Sequence, residues 1–236
     1  MSDTDRDMPL PPEEPPPSLA RRIYRATVFT FLAIMGLELI AAVFRGQWLT
    51  AFLVAMIIAI TLAPQLFKRK LAVDIPAEFQ LLAIVFVFAA LFLGEIRDFY
   101  HRIWWWDIAL HTTSGLLLGI LGFLLVYVLN ENERVEVHMR PRFVALFAFV
   151  FAVAIGALWE IFEFGMDQIF GTNMQKPMFG DPSGLTDTMF DLIVDTLGAL
   201  VISLYGWWYL KRRKECFIQV WIRKFIERNP QLFRSS

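Results

Sequence analysis

The sequence predicts an all-α polytopic membrane helix bundle of about six transmembrane helices, closed by a C-terminal interfacial amphipathic helix. Three observations predict it. First, the 236-residue chain is 57% hydrophobic, above the ~45–50% of a soluble domain, and its mean hydropathy is +0.51. Second, the apolar residues come in blocks long enough to cross ~30 Å of hydrocarbon, which takes about 20 helical residues. Third, the basic residues segregate. If the N-terminus is cytoplasmic, all but four of the 22 Lys and Arg (Arg45, Arg97, Arg102 and Lys176) fall in inside segments, as the positive-inside rule expects.

Residues 1–20 read as a disordered cytoplasmic tail. They carry Pro9, Pro11, Pro12, Pro15, Pro16 and Pro17 among acidic residues, which favours extended, unpacked backbone. No short apolar core with a small-residue cleavage site follows, so the segment is not read as a secretory signal. The membrane domain is expected over 21–212, with spans near 25–45, 48–65, 79–96, 105–129, 143–169 and 187–210. The fifth exceeds one straight crossing and is expected to tilt or project. Trp48, Trp104, Trp105, Trp106, Trp207 and Trp208 lie near span ends, where an aromatic belt sits. Residues 213–236 read as a cytoplasmic amphipathic helix and tail, lying on the surface or packed against the bundle. Both termini are placed inside, which suits a bacterial inner membrane. Net charge is −1, so no global field points to nucleic acid. The single cysteine, Cys216, excludes an internal disulfide and a thiolate metal cluster.

Depth then organises the polar residues. At ~1.5 Å of rise per residue, every ionisable group within a span falls in its outer third to half. Span one contributes Glu38, span three Glu95, span four Asp107 and His111. Span five contributes Glu160, Glu163 and Asp167, and span six Asp187, Asp191 and Asp195. The last three are four residues apart, so they stack on one helical face. Intramembrane acids face a bundle interior or a cavity and mark function. So many like charges at one level need compensation, and His111 with Arg97, Arg102 and Lys176 at the rim is too little. A divalent cation is the economical supply.

Carboxylates with one imidazole suit Mg²⁺, Mn²⁺ or Ca²⁺, with Zn²⁺ or Fe²⁺ also admitted. The expected ligands are Asp107, His111, Glu160, Asp187, Asp191 and Asp195, with Glu160 and His111 as catalytic groups. Glu38, Glu95, Arg97, Glu163 and Gln175 are expected at the rim or in support. Other readings stay open for several of these. Asp187 could simply cap span six, and Glu160 and Glu163 could pair with Arg97 or Arg102. The loop at 171–185 is either a lid over the pocket or a plain connector. A paired Glu-x-x-His di-iron pattern and a His-Glu-x-x-His zinc motif are both absent.

The segments "WWDIALHTTSGLLLG", "ALWEIFEFGMDQIFGTNMQ" and "GLTDTMFDLIVDTLGAL" resemble the YjdF-like family of bacterial inner-membrane proteins. Their Asp-x-x-x-His and later Glu…Asp…Gly pattern is distantly similar to VanZ-like membrane proteins. The resemblance covers about residues 80–205. It implies six spans and an inner-membrane address, and marks Asp107, His111, Glu160, Asp187, Asp191 and Asp195. It names no substrate.

The expected function is a divalent-metal-dependent hydrolase or transferase working beside membrane lipid on a lipid-linked or envelope substrate. Two alternatives stand beside it. One is a non-catalytic metal- or ligand-binding membrane protein. The other is a proton- or divalent-cation-coupled transporter, against which the inner halves of the spans carry no polar path and no inverted repeat is visible.

Overall fold

The computed structural model describes residues 19–71, 75–130, 139–212 and 217–230. The regular elements among the described residues are helices: α1 (Leu19–Phe44), α2 (Trp48–Leu71), α3 (Ala77–Ile96), a short α4 (Phe99–Arg102), α5 (Trp106–Asn130), α6 (Pro141–Phe170), α7 (Leu185–Lys211) and α8 (Phe217–Arg228). Five of these, α1, α3, α5, α6 and α7, are long and apolar enough to cross a membrane, and the apolar run of α2 is the shorter Trp48–Ala63. The expected tail over 1–20 lies outside the described residues, except that Leu19 and Ala20 already begin α1.

Two helix groups divide the work. In the first, Met35 of α1, Val54 and Ile57 of α2, and Phe88 and Phe92 of α3 form a buried cluster. The rings of Phe31 and Phe88 stack with centroids 3.9 Å apart. The outward faces of these helices expose Phe29, Leu37, Leu49 and Phe52, which is the pattern of a helix whose other side meets lipid rather than water.

The second group, α5, α6 and α7, holds the polar residues. Its apolar half is packed around Phe123 and Val126 of α5, Val144 and Ala148 of α6, and Ile202 of α7. Near its polar half α5 and α7 approach backbone to backbone. A Cβ at Gly115 would strike the Asp195 carbonyl, and one at Gly198 would strike the Thr112 carbonyl. Two reciprocal glycines thus bring the helices closer than any larger residue permits, as small residues do in membrane bundles.

Residues 88–96 of α3 wind as a π-helix, and the Arg97 N–H donates to the Phe92 carbonyl five residues back at 3.0 Å. Asp98 stops the winding in the left-handed conformation, with φ at 61°. An aspartate tolerates that region better than most residues. Its Oδ1 lies 2.7 Å from His101 Nδ1.

At the opposite end of α3, helix α8 packs against the bundle. Lys224 Nζ donates to Glu78 Oε1 at 2.6 Å, and the Phe79 and Trp221 rings meet edge to face at 5.0 Å. The choice left open between a free surface helix and a packed one therefore falls to packing on α3.

Candidate metal centre

Each site residue is positioned by helical spacing. Asp107 and His111 lie one turn apart on α5, and Asp187, Asp191 and Asp195 lie on successive turns of α7. Glu160 and Glu163 come from α6. His111 is the hub. Its Nε2 is 3.6 Å from Asp107 Oδ1 and 3.8 Å from Asp191 Oδ2. Its Nδ1 is 3.3 Å from Asp195 Oδ2 and 3.8 Å from Glu160 Oε1. One ring therefore faces four carboxylates drawn from three helices.

The cluster is shut away. Asp191 is 0% exposed, Asp187 1%, Asp195 2%, Glu160 3% and His111 8%. Among the described residues, neither oxygen of Asp191 nor Oδ1 of Asp187 finds a hydrogen-bond partner, and the Glu160 carboxylate has the Thr188 hydroxyl beside it. Leaving a buried polar group unpaired costs about 1–3 kcal/mol, and more when it is charged. Asp195 is the exception, because its Oδ1 lies within hydrogen-bond reach of the Ser114 hydroxyl, which also reaches the His111 carbonyl at 2.8 Å. Gly156 of α6 clears the space for that carboxylate: a Cβ there would sit 2.7 Å from Asp195 Oδ2. Among the described residues, Asp107, His111 and Asp191 bring one ligand atom each within 4.8 Å of one another.

The loop between α6 and α7 covers this end. Asp167 ties its start, accepting from Thr172 Oγ1 at 2.6 Å, from Met174 N at 2.8 Å and from Gln175 N at 2.9 Å. Gln175 Nε2 donates to Thr188 Oγ1 at 2.7 Å. The Lys176 N–H donates to Asp187 Oδ2 at 2.6 Å, so one oxygen of Asp187 fastens the loop while the other lies unpaired. The opening of α7 is braced by Asp181, which accepts from the hydroxyls and N–H groups of Ser183 and Thr186. Those hydrogen bonds hold the Asp181 carboxyl well below the usual carboxylate range.

Glu38, Glu95 and Arg97 stand apart from the hub. Arg97 donates to Glu38 Oε2 at 3.2 Å, with Arg45 4.0 Å from the same carboxylate. Arg102 lies 3.8 Å from Asp98. Glu95 lies 3.8 Å from Lys176 Nζ. Glu163, buried beside the hub, accepts from Trp159 Nε1 at 2.8 Å. The rim cations thus pair with rim acids, rather than with Glu160 and Glu163.

Two residues went unmarked in the sequence reading. Ser114 reaches Asp195 from one turn beyond His111, and its place in "HTTSG" gave a hydroxyl at i+3 as the only signal. Tyr100 of α4 lies under Lys176, whose Nζ is 5.3 Å from the ring centre. Burial, and then the charge of Asp107, raises its phenol above the ordinary value.

Such a bundle, with ionisable groups gathered in one buried layer between apolar helices, defines an all-α integral membrane protein. Residues 23–212 match the family described as "Predicted membrane protein (DUF2238)". The chain belongs to that family. An "Uncharacterized protein" of Thermotoga maritima is 27% identical over 182 residues, covering 73% of this chain and 84% of that relative. No solved structure matches.

Proposed function

We propose that the cluster around His111 holds a divalent cation, and that the protein is a metal-dependent hydrolase or transferase acting on a lipid-linked or envelope substrate. The observation that carries this reading is the Asp191 carboxylate, which is 0% exposed and has no hydrogen bond to either oxygen among the described residues. Acids this deeply buried and this close together need a positive charge among them, and the rim cations are engaged elsewhere. A divalent cation polarises a phosphoryl or acyl oxygen and acidifies a bound water. Asp107, His111 and Asp191 are its ligands, with Asp187 within reach through its free oxygen. Glu160, 3.8 Å from the imidazole, is the group available to take a proton.

The distribution of Lys and Arg supports an inner-membrane address with both termini cytoplasmic, which puts the cluster in the outer half of the bilayer. The match to DUF2238 supports the YjdF-like reading, and the VanZ likeness adds no substrate.

Metal analysis tests the proposal. Protein purified in detergent without chelator should carry about one equivalent of a divalent ion, and Asp191→Asn should lose it. Wild-type protein that contains no divalent ion and is indifferent to added chelator would overturn it.

The complete burial of Asp191 favours a second reading, a cation that stabilises the bundle without turnover. Hydrolysis of lipid-linked phosphate or acyl substrates by the metal-loaded protein, abolished in Glu160→Gln with the metal retained, separates the two.

A further inference from the structure

The cation proposed above is narrowed by how His111 is held. The two imidazole nitrogens have different partners. Nδ1 lies 3.3 Å from Asp195 Oδ2, and Asp195 Oδ1 is already engaged by the Ser114 hydroxyl. An ionised carboxylate can only accept, so Nδ1 is the nitrogen that carries the proton. In a neutral imidazole with that proton, Nε2 keeps the lone pair a cation needs, and it faces Asp107 Oδ1 and Asp191 Oδ2 at 3.6 and 3.8 Å. Two ligands each ~2.1 Å from one cation lie ~3.4 Å apart at the tetrahedral angle, so these separations need only a small contraction.

A carboxylate on the far nitrogen of a ligating histidine fixes its tautomer and raises its basicity. Here that carboxylate is itself fixed twice, by Ser114 of α5 and by the space left at Gly156 of α6. The imidazole is therefore built as a nitrogen ligand. Mg²⁺ and Ca²⁺ gain little from this arrangement. Mg²⁺ sheds water reluctantly and keeps several waters, and Ca²⁺ wants six to eight oxygens. A cation held through His111 Nε2 gives one of its positions to a nitrogen, which hard cations that prefer oxygen accept poorly. Imidazole with carboxylates suits first-row transition ions better.

We infer that the site selects a first-row transition cation of the Mn²⁺, Fe²⁺ or Zn²⁺ class over Mg²⁺ and Ca²⁺, through His111 Nε2, and that Ser114 and Asp195 are the positioning residues that aim this nitrogen. The inference rests on the proposed cation site but can fail separately from it.

The test uses the full-length protein in detergent, stripped with chelator and reloaded with Mn²⁺. Pulsed electron paramagnetic resonance should show coupling of the bound Mn²⁺ to one imidazole ¹⁴N. A 100-fold excess of Mg²⁺ should leave the ion in place. Ser114→Ala should weaken Mn²⁺ binding on the order of 10- to 100-fold, while Ser114→Thr, which keeps the hydroxyl, should restore it. Mg²⁺ affinity should not change between these variants. Displacement of Mn²⁺ by equimolar Mg²⁺ would overturn the inference, as would Mn²⁺ bound without nitrogen coupling; either leaves the cation site standing. Failure to bind any divalent ion would overturn both readings. The nitrogen coupling and the Mg²⁺ competition are wild-type measurements, so they decide the matter even if Ser114→Ala fails to fold.

Discussion

Asp191 and Glu160 illustrate what a buried acid costs. Both are buried, and among the described residues Asp191 has no hydrogen bond, so without a compensating cation they oppose folding. Glu160→Gln removes a buried charge while keeping the shape. In chelator it should melt higher than wild type, by the equivalent of about 1–3 kcal/mol, and the order should reverse or narrow once divalent ion is added. Thermal unfolding with and without chelator checks both halves. A destabilised Glu160→Gln in chelator would mean that the carboxylate has a partner there. Gly156 makes the opposite point. Alanine at 156 would set a methyl 2.7 Å from Asp195 Oδ2, and overpacking of this kind costs about 1–3 kcal/mol. The variant should melt lower than wild type and bind metal more weakly, because the displaced carboxylate no longer faces His111 Nδ1.

At the scale of elements, the α6–α7 loop is held by Asp187 at the cluster and by two further aspartates of different kinds. Asp167 fastens its first residues through three hydrogen bonds. Asp167→Ala should speed hydrogen exchange at the Met174 and Gln175 amides by on the order of 10-fold or more, since each bond is worth about 1 kcal/mol and its charge adds to that. Unchanged exchange would show that the loop is held from elsewhere. Asp181 braces the start of α7, and its carboxyl is depressed by Ser183 and Thr186. A depressed acid contributes stability that is complete above its unfolded pKa, about 3.9, and is lost as pH falls toward its folded one. Thermal scans of wild type and Asp181→Asn should therefore differ by a constant amount from pH 7 to about pH 5, then converge below about pH 4.

These contacts also mark the limit of what the sequence discloses. Asp187, Asp191 and Asp195 could be placed on one face from their spacing alone, because helical periodicity is strong in long apolar segments. The loop's attachment could not. It depends on backbone N–H groups meeting side chains 7, 8 and 11 residues away, and backbone donors carry no sequence signature.

At the scale of the whole molecule, the all-α membrane architecture was legible from hydropathy. Which acids meet was not. Depth is one coordinate, and the helices divide into two packed groups that depth cannot distinguish. Glu38, expected at the level of the cluster, instead accepts from Arg97 across α1 and the end of α3. Glu160, from α6, joins His111 and the α7 aspartates. Binding to the folded state alone should raise the stability of the whole bundle, by about 2.7 kcal/mol at an ion concentration 100 times Kd. Chelator should accordingly lower Tm in wild type and have no effect in Asp191→Asn. Equal shifts in both proteins would place the stabilising ion elsewhere.

The π-wound stretch Phe88–Ile96 has a consequence for comparing relatives. Each residue there turns the chain through a smaller angle than an α-helical residue does. Glu95 and Arg97 therefore point in directions that α-helical phase would misassign. A relative lacking one residue in this stretch can continue as a regular helix and keep its apolar face, but its counterparts of Glu95 and Arg97 would swing away from Lys176 and Glu38. A single-residue gap between positions 88 and 96 in an alignment is thus a change of bearing, and should be accompanied by the loss or relocation of both ion pairs.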